Sequence, residues 1–108
     1  MIRKAFIMHL KPGCGDVYRQ RHQPIWPELK AVLHDHGVSS YSIFLHPDGC
    51  QLFAYAEVED EARWNAIGQT PICRKWWRWM SAIMETLKDL SPVTESCEEV
   101  FHIETPKT

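Results

Sequence analysis

Val38-Ser-Ser-Tyr-Ser-Ile-Phe-Leu45, His46-Pro-Asp-Gly-Cys50 and Gln51-Leu-Phe-Ala-Tyr-Ala-Glu-Val58 run on without a break. Two stretches rich in β-branched and aromatic residues flank a proline and Asp-Gly turn, which is the pattern of a β-hairpin. Upstream, Ile2 to Leu10 reads as a further strand with apolar side chains on both faces, ended by Lys11-Pro-Gly-Cys-Gly15. Asp16 is placed to cap a helix from Val17 to His22, and Pro24 ends that helix because it disfavours helical geometry at the residue before it. A second helix starts at Pro27, with Glu28 favourable to its dipole; Leu29, Val32, Leu33 and His36 share one face and Gly37 stops it.

Downstream of the hairpin, Asp60 caps a helix holding Trp64 and Ile67. Thr70-Pro71 caps another whose stripe is Trp76, Trp79, Met80 and Ile83. A final strand is expected over Ser96 to Ile103, followed by a frayed tail from Glu104 to Thr108. Strand, helix, two strands, helix, strand is the split βαβ order, so the chain is expected to be an α+β, ferredoxin-like sandwich with an antiparallel sheet and helices on one face. The strands carry apolar residues on both faces (Phe6, Met8 and Leu10 against Ala5 and Ile7; Ile43 and Leu45 against Phe44). The uncovered face is therefore expected to meet a second copy of the sheet, giving a homodimer.

The 108 residues are read as a single domain, 1–108, without internal repeat or linker. A net charge of -2 gives no electrostatic footprint for nucleic acid or an anionic membrane. No apolar run approaches the roughly 20 residues that cross a bilayer, and the first strand begins without a signal-peptide core, so a cytoplasmic location is expected. Cys14, Cys50, Cys73 and Cys97 form no C-x-x-C pair. Free thiols are expected in that setting, and neither a zinc site nor a redox dithiol is indicated.

The chemistry concentrates at Tyr18-Arg-Gln-Arg-His-Gln-Pro-Ile25. Residues four apart share a helix face, so Tyr18 and His22 point into the same space. An imidazole gives and takes protons near neutral pH, which makes His22 the candidate catalytic residue; a histidine at a helix end also serves as a simple cap. The other histidines offer less: His9 and His46 lie at strand ends, His102 in the last strand, and His34 and His36 diverge on their helix. No H-E-x-x-H or carboxylate triad is present, so no metal is expected. Tyr18 and Tyr41 can hydrogen-bond a polyol or be tied to backbone in the core. Trp76 falls on the apolar stripe of its helix, while Trp77, about 100° away, is left for a ligand or a partner chain. Cys14 has no neighbour that would activate it as a nucleophile. Imidazole, phenol and indole together suit a small carbohydrate pocket.

The segments Tyr18-Arg-Gln-Arg-His-Gln-Pro-Ile-Trp-Pro-Glu-Leu29, Tyr41-Ser-Ile-Phe-Leu45, Leu52-Phe-Ala-Tyr55, Arg63-Trp-Asn65, Cys73-Arg-Lys-Trp-Trp77 and Glu99-Val-Phe101 resemble the L-rhamnose mutarotase family, in order and from Ile2 to about Ile103. The resemblance implies a dimeric, cofactor-free ferredoxin-like enzyme that interconverts the α and β anomers of L-rhamnose. It implies His22 as proton donor and Tyr18, Tyr41, Trp76 and Trp77 as sugar contacts. Two segments depart from the family pattern: Ser40 stands where asparagine is common, and Leu87-Lys-Asp-Leu90 replaces an Asn/Pro-rich loop. The competing readings are a cofactor-free ferredoxin-like monooxygenase acting on an aromatic substrate, which would favour a wholly apolar pocket, and a non-catalytic sugar-binding module.

Overall fold

In the computed structural model, which describes residues 1–106, four strands form one antiparallel sheet: β1 (Ile2–His9), β2 (Val38–Leu45), β3 (Gln51–Val58) and β4 (Glu95–Cys97). Their spatial order is β2-β3-β1-β4, so the hairpin lies on one side of β1 and the last strand on the other. This is the ferredoxin-like order expected from the element sequence. Four helices, α1 (Gly15–Arg21), α2 (Pro27–Asp35), α3 (Glu61–Ala66) and α4 (Pro71–Met80), accompany the sheet, with a single 3₁₀ turn at Ile67–Gln69 between the last two.

Side-chain alternation sorts the sheet into two faces. β3, paired on both edges, sends Leu52, Ala54, Ala56 and Val58 into the core, each 3% exposed or less. Met8 joins them from β1, and Leu29, Trp76 and Met80 close the core from the helices. On the opposite face Ile7, Phe53 and Phe44 are successive cross-strand partners, and Phe44 is left 62% exposed.

The helix signals act as their chemistry dictates in most places. Asp60 Oδ2 accepts from Arg63 N at 2.8 Å and Thr70 Oγ1 accepts from Cys73 N, each satisfying an otherwise orphaned amide. Gly37 takes φ +86° just past α2, a left-handed geometry that closes a helix at no Cβ cost. Asp16 is a correction: α1 begins at Gly15, so Asp16 lies inside the first turn, where its charge still suits the dipole, and it does not cap the helix. Pro24 follows a cis peptide bond after Gln23.

The last strand is also corrected. It spans Glu95–Cys97, pairing Ala5 with Cys97, and not Ser96 to Ile103. Val100, Phe101 and Ile103 lie beyond it, 90%, 77% and 76% exposed. Their apolar character gives strand propensity; continuing the register sets Glu98, Glu99 and Val100 beside Lys4, Arg3 and Ile2, where the Arg3 and Glu99 side chains pair at 2.9 Å without a backbone ladder, and Phe101 and Ile103 run past the start of β1. Glu104 to Pro106 are exposed and without regular structure, and the rest of the expected tail, Lys107 and Thr108, falls outside the described residues.

Candidate active site

The seven-residue helix α1 sets Tyr18 and His22 one turn apart, with His22 as its C-terminal cap. Their rings lie 4.3 Å apart at 31°. The His22 Nδ1 is 2.8 Å from the carbonyl oxygen of Tyr18. A carbonyl can only accept, so Nδ1 carries the proton, and in the neutral ring Nε2 holds a free lone pair. Burial lowers the His22 pKa from its ordinary value, and the bond to the Tyr18 carbonyl opposes that shift without cancelling it.

From α4, Trp76 is buried and meets the imidazole edge-on, 5.1 Å away at 87°. Trp77 is half-buried and packs over Gly68. Trp79 departs from the expected core stripe: it is 39% exposed and stacks on Trp26 at 5.1 Å and 22°. α4 stops at Met80, so the stripe that counted Trp79 with Ile83 runs past the end of the helix. The helical core positions are Cys73, Trp76 and Met80, at spacings of three and four, and Trp79 falls to their side.

Between the helices and the covered sheet face lies a cavity of about 920 Å³. Tyr18, His22, Tyr41, Trp76 and Trp77 all line it, so α1, β2 and α4 bring the five expected side chains to one space. Tyr41 enters from the sheet, its ring 6.4 Å from Phe6 and 5.8 Å from Trp64. Burial raises the pKa of both tyrosines, with each other's proximity adding to the effect on Tyr18. Both stay protonated at neutral pH. No buried side-chain polar atom among the described residues lacks a partner, and neither tyrosine hydroxyl bonds backbone or side chain there. Their hydroxyls are therefore open to whatever fills the cavity.

The lining includes residues that local pattern did not single out as site residues: Arg19, Gln23, Lys30, Trp64 and Asn65. Trp64 and Asn65 sit on α3, whose approach to β1 and β2 is a long-range contact with no local signature; an aromatic-amide pair on a short capped helix was the available signal. Of the two departures from family pattern, Ser40 and, from the segment 87–90, Leu87 alone lie on the lining as well. No Asp or Glu lines the cavity among the described residues. Burial pushes the Cys73 thiol at the cavity wall up to about 11, so it stays protonated and inert.

The remaining histidines face elsewhere or stand alone. His9 Nε2 pairs with Glu95 at 2.6 Å, His46 with Asp48, and His36 Nδ1 donates to Val32 O at the end of α2. His34 reaches the cavity rim. Among the described residues no three His, Cys, Asp or Glu side chains gather as a metal site.

A ferredoxin-like sheet, one covered cavity and an imidazole set among phenols and indoles define a class of small α+β protein equipped for proton transfer on a polar, hydroxyl-bearing ligand. Fold alone does not choose the reaction. HapK of Hahella chejuensis has a similar fold at a TM-score of 0.62 with 11% identity, and an antibiotic biosynthesis monooxygenase does so at 0.62 with 15%. The cavity of this chain, lined by Arg19, Gln23, Lys30 and Asn65, is not the wholly apolar one the monooxygenase reading calls for.

Sequence comparison is specific where fold is not. The family model described as L-rhamnose mutarotase matches residues 3–103. The L-rhamnose mutarotase of Opitutus terrae is 55% identical over 104 residues, covering 96% of this chain and 100% of that protein. That of Pectobacterium carotovorum subsp. carotovorum is 53% identical over the same shares. The crystal structure of the Formosa agariphila L-rhamnose mutarotase superposes with a TM-score of 0.88 at 41% identity, covering 96% of this chain and all of that one. The chain belongs to the L-rhamnose mutarotase family.

Proposed function

We propose that the protein interconverts the α and β anomers of L-rhamnose by proton transfer through His22, without a cofactor. The observation that carries this reading is the His22 geometry: Nδ1 committed to the Tyr18 carbonyl and the ring held against Trp76 in a cavity that no Asp or Glu lines among the described residues. Neutral His22 takes the proton from the anomeric hydroxyl on Nε2. The electron pair of that O–H bond forms the carbonyl as the bond between the anomeric carbon and the ring oxygen breaks, and the ring oxygen receives a proton. The open aldehyde turns about its bond to the neighbouring carbon. Closure on the other face reverses the transfers, and imidazolium now serves as the acid. A positioned acid-base group contributes about 10² to 10⁴ in rate.

The tyrosines remain protonated, so they act as donors to sugar oxygens and not as bases. A water held by the Tyr18 hydroxyl is then the source of the second proton. Trp76 and Trp77 supply flat apolar surface for the sugar's C–H faces. Ser40 and Leu87 are the positions at which this chain's preference among 6-deoxy sugars is set.

We further infer a homodimer of a single domain, residues 1–108, joined through the open sheet face. The row Ile7, Phe53 and Phe44 is the apolar surface that supports this. Sedimentation is expected to give twice the chain mass at micromolar concentration, and Phe44→Lys to shift it toward one; a wild-type monomer overturns the dimer. The reading places the protein in the cytoplasm, beside other enzymes of sugar breakdown. Among the described residues no helix is long and apolar enough to cross a membrane.

Saturation-transfer NMR on L-rhamnose tests the activity. Added protein is expected to accelerate exchange between the two anomeric protons over buffer alone. Unchanged exchange with saturable sugar binding would replace the enzyme by a sugar-binding module.

A further inference from the structure

α1 has seven residues, about two turns, too short to hold its shape without tertiary contacts. It nevertheless has to fix the imidazole at its C-terminal end. The side chain just before that imidazole belongs to Arg21, which takes no part in lining the cavity. Its Nη1 donates to the carbonyl oxygen of Trp79 at 2.6 Å. That carbonyl belongs to the last turn of α4, where oxygens lack intrahelical partners and the helix dipole is negative, so a guanidinium there satisfies both. No other hydrogen bond joins α1 to α4 among the described residues.

The same guanidinium lies 4.4 Å from the centre of the Trp79 ring. Trp79 stacks on Trp26, Trp26 meets Trp76 edge-on at 5.0 Å and 86°, and Trp76 meets the His22 ring at 5.1 Å and 87°. A closed circuit results. One arm is the peptide bond from Arg21 to His22, and the other runs through three indoles back to the same imidazole. Trp26 and Trp79 also lie outside the cavity lining, so the outer part of the circuit does not touch a bound ligand.

We propose that Arg21 is a positioning residue: by clamping the end of α1 to the end of α4, it sets the angle at which His22 meets Trp76 and presents Nε2 to the sugar. This rests on the mutarotase reading for its rate consequence, though the clamp itself does not. A misplacement of about 1 Å in a reacting group costs up to 10²-fold in rate, whereas sugar affinity, carried by groups that line the cavity, changes little.

The test compares wild type with Arg21→Met, which keeps length but loses donors and charge, and with Arg21→Lys, which keeps a cation and a donor. L-Rhamnose exchange is followed by NMR, alongside the His22 imidazole and Trp76 indole resonances and the melting curve. Arg21→Met is expected to lower kcat by about ten- to a hundredfold with KM within about twofold, and to move both resonances. Arg21→Lys is expected to restore most of both. A lower melting temperature with wild-type kcat and unmoved resonances would make Arg21 a stabilising contact and overturn the proposal. Should Arg21→Met fail to fold, Arg21→Gln, which keeps an amide donor without the charge, takes its place with the same criteria. If the wild type itself exchanges no anomers, the functional reading fails separately, and the His22 and Trp76 resonances still decide the clamp.

Discussion

The ring of Trp77 lies against Gly68 so closely that a methyl group at Gly68 would sit 2.6 Å from Cη2 of the indole. Gly68 occupies the 3₁₀ turn between α3 and α4, and its backbone there does not require glycine. What requires the missing side chain is the indole. Gly68→Ala is therefore expected to push Trp77 into the cavity, raising KM for L-rhamnose several-fold while costing about 1 to 3 kcal/mol of stability through overpacking. Thermal melting and a KM measurement check it; an unchanged KM would mean that Trp77 does not meet the sugar.

The His22 tautomer sets the pH response. Burial keeps its pKa below the ordinary 6.5, so the ring is neutral at pH 7 with Nε2 free to accept. kcat/KM over the buffer background is expected to stay level near neutrality and to fall as pH drops through that lowered value, because imidazolium has no lone pair to offer. Stability moves the same way: below pH 6.5 the unfolded chain binds the proton first, so stability is lost as pH falls from there to the folded pKa. An activity that rises on acidification, above the buffer's own acid catalysis, would make His22 act from its protonated form.

The hairpin at Val38 to Val58 and the helix caps at Asp60 and Thr70 were legible in the sequence because their signals are local: a turn dipeptide, an alternation, a side-chain oxygen three residues before an amide. The Tyr18 and His22 pairing was legible for the same reason, since a helix fixes what four residues apart means. The last strand and Trp79 were misread because their fate depends on partners distant in sequence. Val100, Phe101 and Ile103 have strand-forming side chains, but the ladder to β1 stops at Cys97 and the last two run past the start of β1, and Trp79 finds Trp26 in place of the core. Trp64 and Asn65 reach the cavity through α3 packing that no local period announces.

The exposure of Trp79 reverses what its place on the helical stripe would suggest for truncation. Trp76→Ala opens a hole in the core and is expected to cost about 3 to 5 kcal/mol, along with the edge contact to His22. Trp79→Ala removes a ring that is 39% exposed, so its melting temperature is expected to fall by clearly less. Paired melting curves decide the order; equal losses would mean that Trp79 is buried in solution, for example by a second copy.

Tyr18→Phe and His22→Gln separate binding from proton transfer. The Tyr18 hydroxyl has no partner among the described residues, so its removal leaves no protein group unsatisfied and Tyr18→Phe is expected to melt like the wild type. If that hydroxyl donates to a sugar oxygen, KM rises and kcat/KM falls by roughly tenfold, the size of one lost neutral hydrogen bond. His22→Gln keeps an amide able to donate to the Tyr18 carbonyl, but it has no titrating proton to carry. Folding and sugar binding are expected to survive, and catalysed exchange to fall by about two to four orders of magnitude. Saturation-transfer NMR on the two variants reads both effects in one experiment. A His22→Gln protein that still exchanges L-rhamnose anomers at the wild-type rate would leave His22 as the C-terminal cap of α1 and move the proton carrier to His34, the other imidazole on the cavity wall.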